Sequence, residues 1–251
     1  MVAFYAFCRI IDDLADDLSR PAEDRKRALY DWRDGLQNGF ADPDEFQREV
    51  IALRDRRNLP TVLLTAIIDG CLMDIAPQRF ANWQELSGYT WKVACAVGLV
   101  SIRLFGCNDA GAERYAGALG HALQITNILR DVGEDLANEG RIYLPLEDLA
   151  RFHYTEADLM ARVYDERFVA LMEFEAERAE GFFREAAAAI PASDRRALEP
   201  AEIMRDIYHR LLGKIRAGKF QVFDHRYRLS KARKLAIFAK HLFARHPQTA
   251  E

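Results

Sequence analysis

Acidic side chains recur at helical spacing in two distant parts of this chain. Asp12 and Asp16 stand four residues apart in Asp12-Asp13-Leu14-Ala15-Asp16-Asp17. Asn127, Asp131 and Asp135 repeat that interval in Asn127-Ile128-Leu129-Arg130-Asp131-Val132-Gly133-Glu134-Asp135. On a helix the interval stacks side chains on one face, a turn apart. Like charges so placed weaken a bare helix, so something else must hold them. The donors are hard oxygens, which suit Mg²⁺, a cation held by a few carboxylates and completed by substrate phosphates. Two such helices facing each other would make a magnesium–diphosphate site. A solvated helix face is the competing explanation, and for one run it would be the better one. Here both runs are embedded in apolar sequence: Ile10, Ile11 and Leu14 around the first, Leu123, Ile125, Ile128, Leu129 and Val132 around the second. Carboxylates left unpaired in such surroundings are costly.

Several side chains fall where they could meet a diphosphate. Arg9 lies one turn before Asp13, and Arg130 directly precedes Asp131. Each could neutralise its carboxylate neighbours, or bind diphosphate oxygens through the planar, permanently charged guanidinium fork. Gln124 lies three residues before Asn127 and can join its stripe; Tyr5 precedes Arg9 by one turn. Tyr208 falls among Ile203, Met204, Ile207 and Leu211, and like Tyr5 reads first as a core aromatic with a satisfied hydroxyl. Arg226, Arg228, Lys231, Arg233 and Lys234 form a basic run that reads as a solvated helix start or a contact for anionic lipid headgroups.

The elements that must position these groups read as helices throughout, with no convincing strand alternation. The first runs to about Leu18 and a second covers Ala22 to Gln37. A third spans Asp44 to Arg57, and Pro60 restarts the helix through Met73, with Pro77 beyond it. Trp83 to Leu104 reads as one long helix with small residues (Ala94, Ala96, Gly98) at its centre. Ala110 to about Leu136 carries the second acidic run and ends at Asn138-Glu139-Gly140-Arg141; Tyr143-Leu144-Pro145, with the residues just after it, reads as a packed loop. Thr155 is an N-cap, and a long helix from Glu166 to Ile190 carries Glu173, Glu175, Glu177, Arg178 and Glu180 as a solvated face. Helices from Ala201 to Ala217 and from Ser230 to Phe243 complete an all-α chain with no repeat or linker.

The 251 residues suffice for one sizeable core, and a net charge of −4 argues against a nucleic-acid partner. Cys8, Cys71, Cys95 and Cys107 lack CxxC spacing and follow no secretory leader, which fits reduced thiols in the cytoplasm. No apolar run is long enough to span a membrane.

At these residues the chain resembles the squalene and phytoene synthase family, the head-to-head prenyl synthases. The resemblance rests on Tyr5-Ala6-Phe7-Cys8-Arg9 leading into Asp12-Asp13-Leu14-Ala15-Asp16, and on Leu123-Gln124-Ile125-Thr126 leading into the second acidic run. Gly140-Arg141-Ile142-Tyr143-Leu144-Pro145 and Arg228-Leu229-Ser230-Lys231 look like family sequence too. The resemblance implies a single synthase domain over residues 1–251, an isoprenoid-synthase helical bundle whose central cavity takes two prenyl diphosphates. It implies that Asp12, Asp16, Asn127, Asp131 and Asp135 hold Mg²⁺, with Mn²⁺ as a substitute, against the diphosphates. It also implies that Tyr5, Arg9, Gln124, Arg130 and Tyr208 bind diphosphate or shape the cavity, with Arg226 a looser match. Trp91 and Cys95 stand where the family usually has tyrosine and glycine.

Relatives carry about one further helix before this start, covering the active site. Its absence here would leave the cavity beside Tyr5 and Arg9 open to water. The implied reaction joins two farnesyl diphosphates into presqualene diphosphate or squalene, with NADPH needed only if one enzyme proceeds to squalene. Asp31-Trp32-Arg33 and Ile68-Asp69-Gly70-Cys71-Leu72-Met73-Asp74 look closest to that branch. Phytoene formation from geranylgeranyl diphosphate is the alternative, as is a non-catalytic member serving as a binding or assembly subunit. A peripheral membrane contact and the oligomeric state stay open.

Overall fold

A computed structural model describes residues 1–76, 79–138 and 140–244; the expected stops at Pro77 and Glu139 lie outside the described residues. Helix α1 (Val2–Asp16) places Phe4, Phe7, Ile11 and Ala15 on one buried stripe and so turns its aspartates outward. It ends two residues before the expected Leu18. The Asp17 carboxylate accepts the Ser19 backbone N–H at 3.1 Å and draws the chain into a turn. Helices α2 (Ala22–Asn38), α3 (Glu45–Arg56) and α4 (Thr61–Asp74) come next. A capping box between Asp44 and Gln47 fixes the start of α3. Helix α4 is apolar almost all round because α1, α2 and later helices cover it on several sides.

The segment expected as one helix from Trp83 to Leu104 is interrupted. Helix α5 (Trp83–Thr90) passes into a π-helical turn at Trp91–Cys95, and α6 (Ala96–Phe105) resumes. This turn presses on α7 (Ala110–Ala137) at Gly120, where an added Cβ would meet the Cys95 Cα at 2.6 Å. Cys95 Sγ donates to the Gly117 carbonyl at 3.1 Å in the same contact. Periodicity alone does not distinguish a π turn from an α turn, so this insertion was invisible in the pattern.

Helix α7 is the hub. Buried residues run nearly around it, and it packs on the π turn, on α6, and on α10 (Glu166–Ala189) and α11 (Glu199–Ala217). Short helices α8 (Leu146–Arg151) and α9 (Glu156–Met160) precede α10, and α12 (Lys231–Ala244) ends the described chain. The region expected as loop after Pro145 thus contains α8, which anchors through Leu146 N–H to the Phe80 carbonyl at 2.9 Å. Thr155 caps α9 in a box with Asp158, as expected. Helix α11 starts at Glu199, two residues early, because Pro200 fits the first helical turn. Among the described residues there is no β-strand.

One expectation fails inside α10. Glu175 is not on a solvated face but 1% exposed, and Arg178 reaches both it and the buried Asp148, the latter at 2.9 Å. The Arg178 guanidinium also lies 4.8 Å from the Trp83 ring centroid. Five charges in eight residues look solvated in sequence. Here α8 brings Asp148 over two of them, and the one Arg178 guanidinium serves both buried carboxylates.

Candidate active site

Helix α1 presents Arg9, Asp12, Asp13 and Asp16 on its outer face. Arg9 spans two carboxylates, Asp12 at 3.3 Å and Asp13 at 2.8 Å. All three side chains are more than half exposed, so the apolar flanks of this run bury the opposite face of the helix and not the acids themselves. Partial desolvation and then the Asp16 charge raise the Asp12 pKa above the ordinary carboxylate range. Tyr5, one turn earlier, is 71% exposed at the outer edge of this face.

The second run is more enclosed. Asp131 is only 16% exposed and is held in a bidentate grip by Arg130, with Nε at 2.8 Å. Burial is the largest single influence on Arg130 and opposes its charge, but the Asp131 bonds and charge together with Tyr208 raise its pKa. Burial first, and the Asp131 charge next, push Asp135 up to about 8. Asn127 Nδ2 donates to Gln124 Oε1 at 3.4 Å, while the Asn127 Oδ1 is buried with no hydrogen-bond partner. A buried acceptor left without a donor is rare in a native chain and calls for a water, ion or ligand to satisfy it.

Arg226 arrives from the segment between α11 and α12. Its Nε lies 3.2 Å from Asp131 and its Nη1 2.8 Å from Glu134. That reach depends on Gly133: a Cβ there would stand 2.5 Å from both the Val222 and Phe223 carbonyl oxygens. The absent side chain lets the segment lie directly on α7, two residues along from Asp131.

The two acidic helices share little direct packing among the described residues, and Arg141 connects them. Its backbone N–H donates to the Asp135 carbonyl at 3.0 Å, and its Nη1 and Nη2 donate to Asp16 Oδ1 at 3.3 Å each. The charges of Asp12, Asp16, Asp74 and Asp135 all interact with this guanidinium. Asp74, at the end of α4, completes the cluster. It accepts from the Tyr143 hydroxyl at 2.8 Å and the Tyr89 hydroxyl at 3.1 Å, and those two rings stack 5.3 Å apart. Burial nevertheless lifts Asp74 to about 6.

Asp12, Asp16, Arg9, Arg130, Asp131, Asp135, Tyr208 and Arg226 therefore join one charge network through Arg141. Gln124 and Asn127 bond to each other on α7 outside that network, and Tyr5 is exposed one turn before Arg9. The spacing of Asp74, Arg141, Tyr143 and Tyr89 in the sequence does not by itself assign them to the site. Asp74 did carry a signal, since a carboxylate closing an apolar helix that has no basic residue in its last turn opposes the helix dipole. Such a placement needs an external partner.

Among the described residues no three His, Cys, Asp or Glu side chains converge enough to hold an ion unaided. The donors along these two faces are oxygens throughout, the ligand type that hard divalent cations take. The orphaned Asn127 Oδ1 belongs to that donor set.

A sequence profile described as Squalene/phytoene synthase matches residues 1–233. The chain is 35% identical over 247 residues to 15-cis-phytoene synthase of Synechocystis sp., covering 93% of this chain and 73% of that protein. It is 35% identical over 247 residues to presqualene diphosphate synthase of Rhodopseudomonas palustris, covering 96% and 86%. A crystal structure of a dehydrosqualene synthase in complex with ligand superposes with a TM-score of 0.77 at 29% identity, over 96% of this chain and 84% of that one. With its helical fold and paired acidic helices, this chain belongs to the squalene/phytoene synthase family, prenyltransferases that join prenyl diphosphates head to head.

Proposed function

We propose that this chain, as one synthase domain, condenses two farnesyl diphosphates into presqualene diphosphate, with squalene as the onward product. The observation that carries the reading is the buried, unpartnered Asn127 Oδ1 on the face of Asp131 and Asp135, tied to Asp16 by Arg141. A face of oxygen donors with one acceptor held in reserve suits a magnesium-bound diphosphate. Mg²⁺ held there by Asp12, Asp16, Asn127, Asp131 and Asp135 would supply charge neutralisation for the departing diphosphate.

The protein's own groups orient the substrate. Arg9, Arg130 and Arg226 now grip carboxylates, and each fork can exchange part of that grip for diphosphate oxygens. Tyr208 steadies Arg130, and Gln124 holds the Asn127 amide so that its oxygen points away from the Gln124 contact. Arg141 fixes the separation of the two acidic faces through Asp16 and the Asp135 carbonyl.

The preference for the fifteen-carbon substrate is supported by the runs at 31–33 and 68–74 and by the relative named presqualene diphosphate synthase. The relative named 15-cis-phytoene synthase supports the geranylgeranyl reading. Mass spectrometry of products from each diphosphate, with Mg²⁺ and with or without NADPH, separates them. Expected are presqualene diphosphate from farnesyl diphosphate without NADPH and little product from geranylgeranyl diphosphate. A forty-carbon product formed faster than the thirty-carbon one would replace this assignment with phytoene synthesis.

A further inference from the structure

The charge of this chain is unevenly placed. Residues 225–250 contain seven Lys and Arg and no Asp or Glu, while the remainder holds 28 basic against 39 acidic residues. The described part of this basic stretch runs into α12, which lies on α11 and otherwise faces outward. Ile237 is its buried anchor at 3% exposure, whereas Leu235 is 68% and Phe238 46% exposed. Lys231 and Lys234 stand one turn before Leu235 and Phe238, so the two cations flank the two apolar side chains on one side of the helix.

The unpaired cations of this region cluster around its exposed apolar side chains. In this region Lys240 grips a carboxylate, Asp206, at 3.2 Å. Arg210, Arg228, Lys231, Arg233 and Lys234 form no ion pair among the described residues. Between α11 and α12, Arg210, Lys214, Arg233 and Lys240 rim a groove of about 510 Å³ over Leu229 and Ile237. Free cations around an apolar strip ask for a partner that is negative at its surface and apolar beneath.

We propose that α12 and its groove dock on an anionic phospholipid surface, with α12 lying in the headgroup plane. Leu235 and Phe238 enter the acyl boundary, while Lys231, Arg233 and Lys234 extend to lipid phosphates and Arg210 meets them from the groove. The helix lies on the bilayer and does not cross it: no helix among the described residues is long and apolar enough to span. A second copy of this chain is the poorer occupant, because a symmetric contact would set two basic faces against each other. Arg226, which holds Asp131 and Glu134, is five residues before Lys231, so docking would set the candidate site beside the membrane.

The test is flotation of the full chain with vesicles of phosphatidylcholine alone or with about 30% phosphatidylglycerol, at about 0.1 M salt. Two double variants, Leu235→Ser with Phe238→Ser and Lys231→Glu with Lys234→Glu, are compared after circular dichroism shows native helix content. Expected is binding to the anionic vesicles, weakened at least about tenfold by either variant and by omitting phosphatidylglycerol. Turnover of detergent-dispersed substrate should be unchanged. Wild-type partitioning that ignores phosphatidylglycerol, or variants that float like the wild type, would overturn the proposal. So would a dimer in sedimentation that either variant dissociates, since the face would then be an assembly contact.

Discussion

Gly133→Ala should damage the candidate site without touching any group that meets substrate. The added methyl would sit 2.5 Å from the Val222 and Phe223 carbonyl oxygens, where ordinary contact begins near 3.4 Å. The segment must therefore retreat from α7 by about 1 Å, because both obstacles are backbone. Arg226 rides on that segment, and its bonds to Asp131 and Glu134 at 3.2 and 2.8 Å have no slack for such a shift. A misplacement of roughly 1 Å costs on the order of 100-fold in turnover, and overpacking of this kind costs about 1–3 kcal/mol in stability. Gly117→Ala is the control: it lies on the same helix with nothing within 4 Å of the new methyl. It should leave turnover unchanged and stabilise by up to about 1 kcal/mol. Turnover comes from product formation with labelled prenyl diphosphate, and stability from urea unfolding. If Gly133→Ala turns over like the wild type, or if Arg226→Ala with Gly133→Ala loses the full product of the two separate losses, the coupling through Arg226 is refuted.

Other outcomes rest on the site and the core. Activity should vanish in EDTA and return with Mg²⁺ or Mn²⁺, and Asp12→Asn and Asp131→Asn should each lower turnover by roughly three orders of magnitude or more with circular dichroism unchanged; full turnover without metal would remove the magnesium assignment. In the metal-free protein, Asp135 at about 8 and Asp74 at about 6 lie above their ordinary value of 3.8, so the folded state binds the extra protons. Their contribution to stability is full below that ordinary value and is lost as pH rises through 6 and then 8. The melting temperature in EDTA should accordingly fall between pH 5 and pH 9, and Asp135→Asn should flatten the upper part of that fall while abolishing turnover; an unchanged slope would sink the idea. Arg178→Ala should destabilise by about 3–5 kcal/mol, since it strands Glu175 and Asp148 in the core, and a loss under about 1 kcal/mol in urea unfolding would mean that the cluster is hydrated.

Much of the candidate site was legible because helical spacing carries over into three dimensions. Asn127, Asp131 and Asp135 share a face whatever packs around α7, and Arg9 must lie beside Asp12 and Asp13. Features requiring distant partners were not legible. Glu175 and Arg178 have the sequence character of a solvated face until α8 brings Asp148 over them. Asp74 gains meaning only when Tyr89 and Tyr143, from two other segments, close on it.

The sequence by itself determined that the chain is helical, where its acidic faces lie and which oxygen donors they offer, because these follow from composition and a period of 3.6 residues. Tertiary structure alone decided how the faces are joined. Arg141 bridges from the Asp135 carbonyl to Asp16 across 125 positions of sequence, and Gly133 admits Arg226 to α7. It also decided that Asp131 is enclosed while Asp12 is exposed, and that Asn127 keeps an acceptor unused. Local periodicity fixes the direction in which a side chain leaves its own helix. Burial, and with it charge state and readiness for a ligand, depends on what other elements place in front of it.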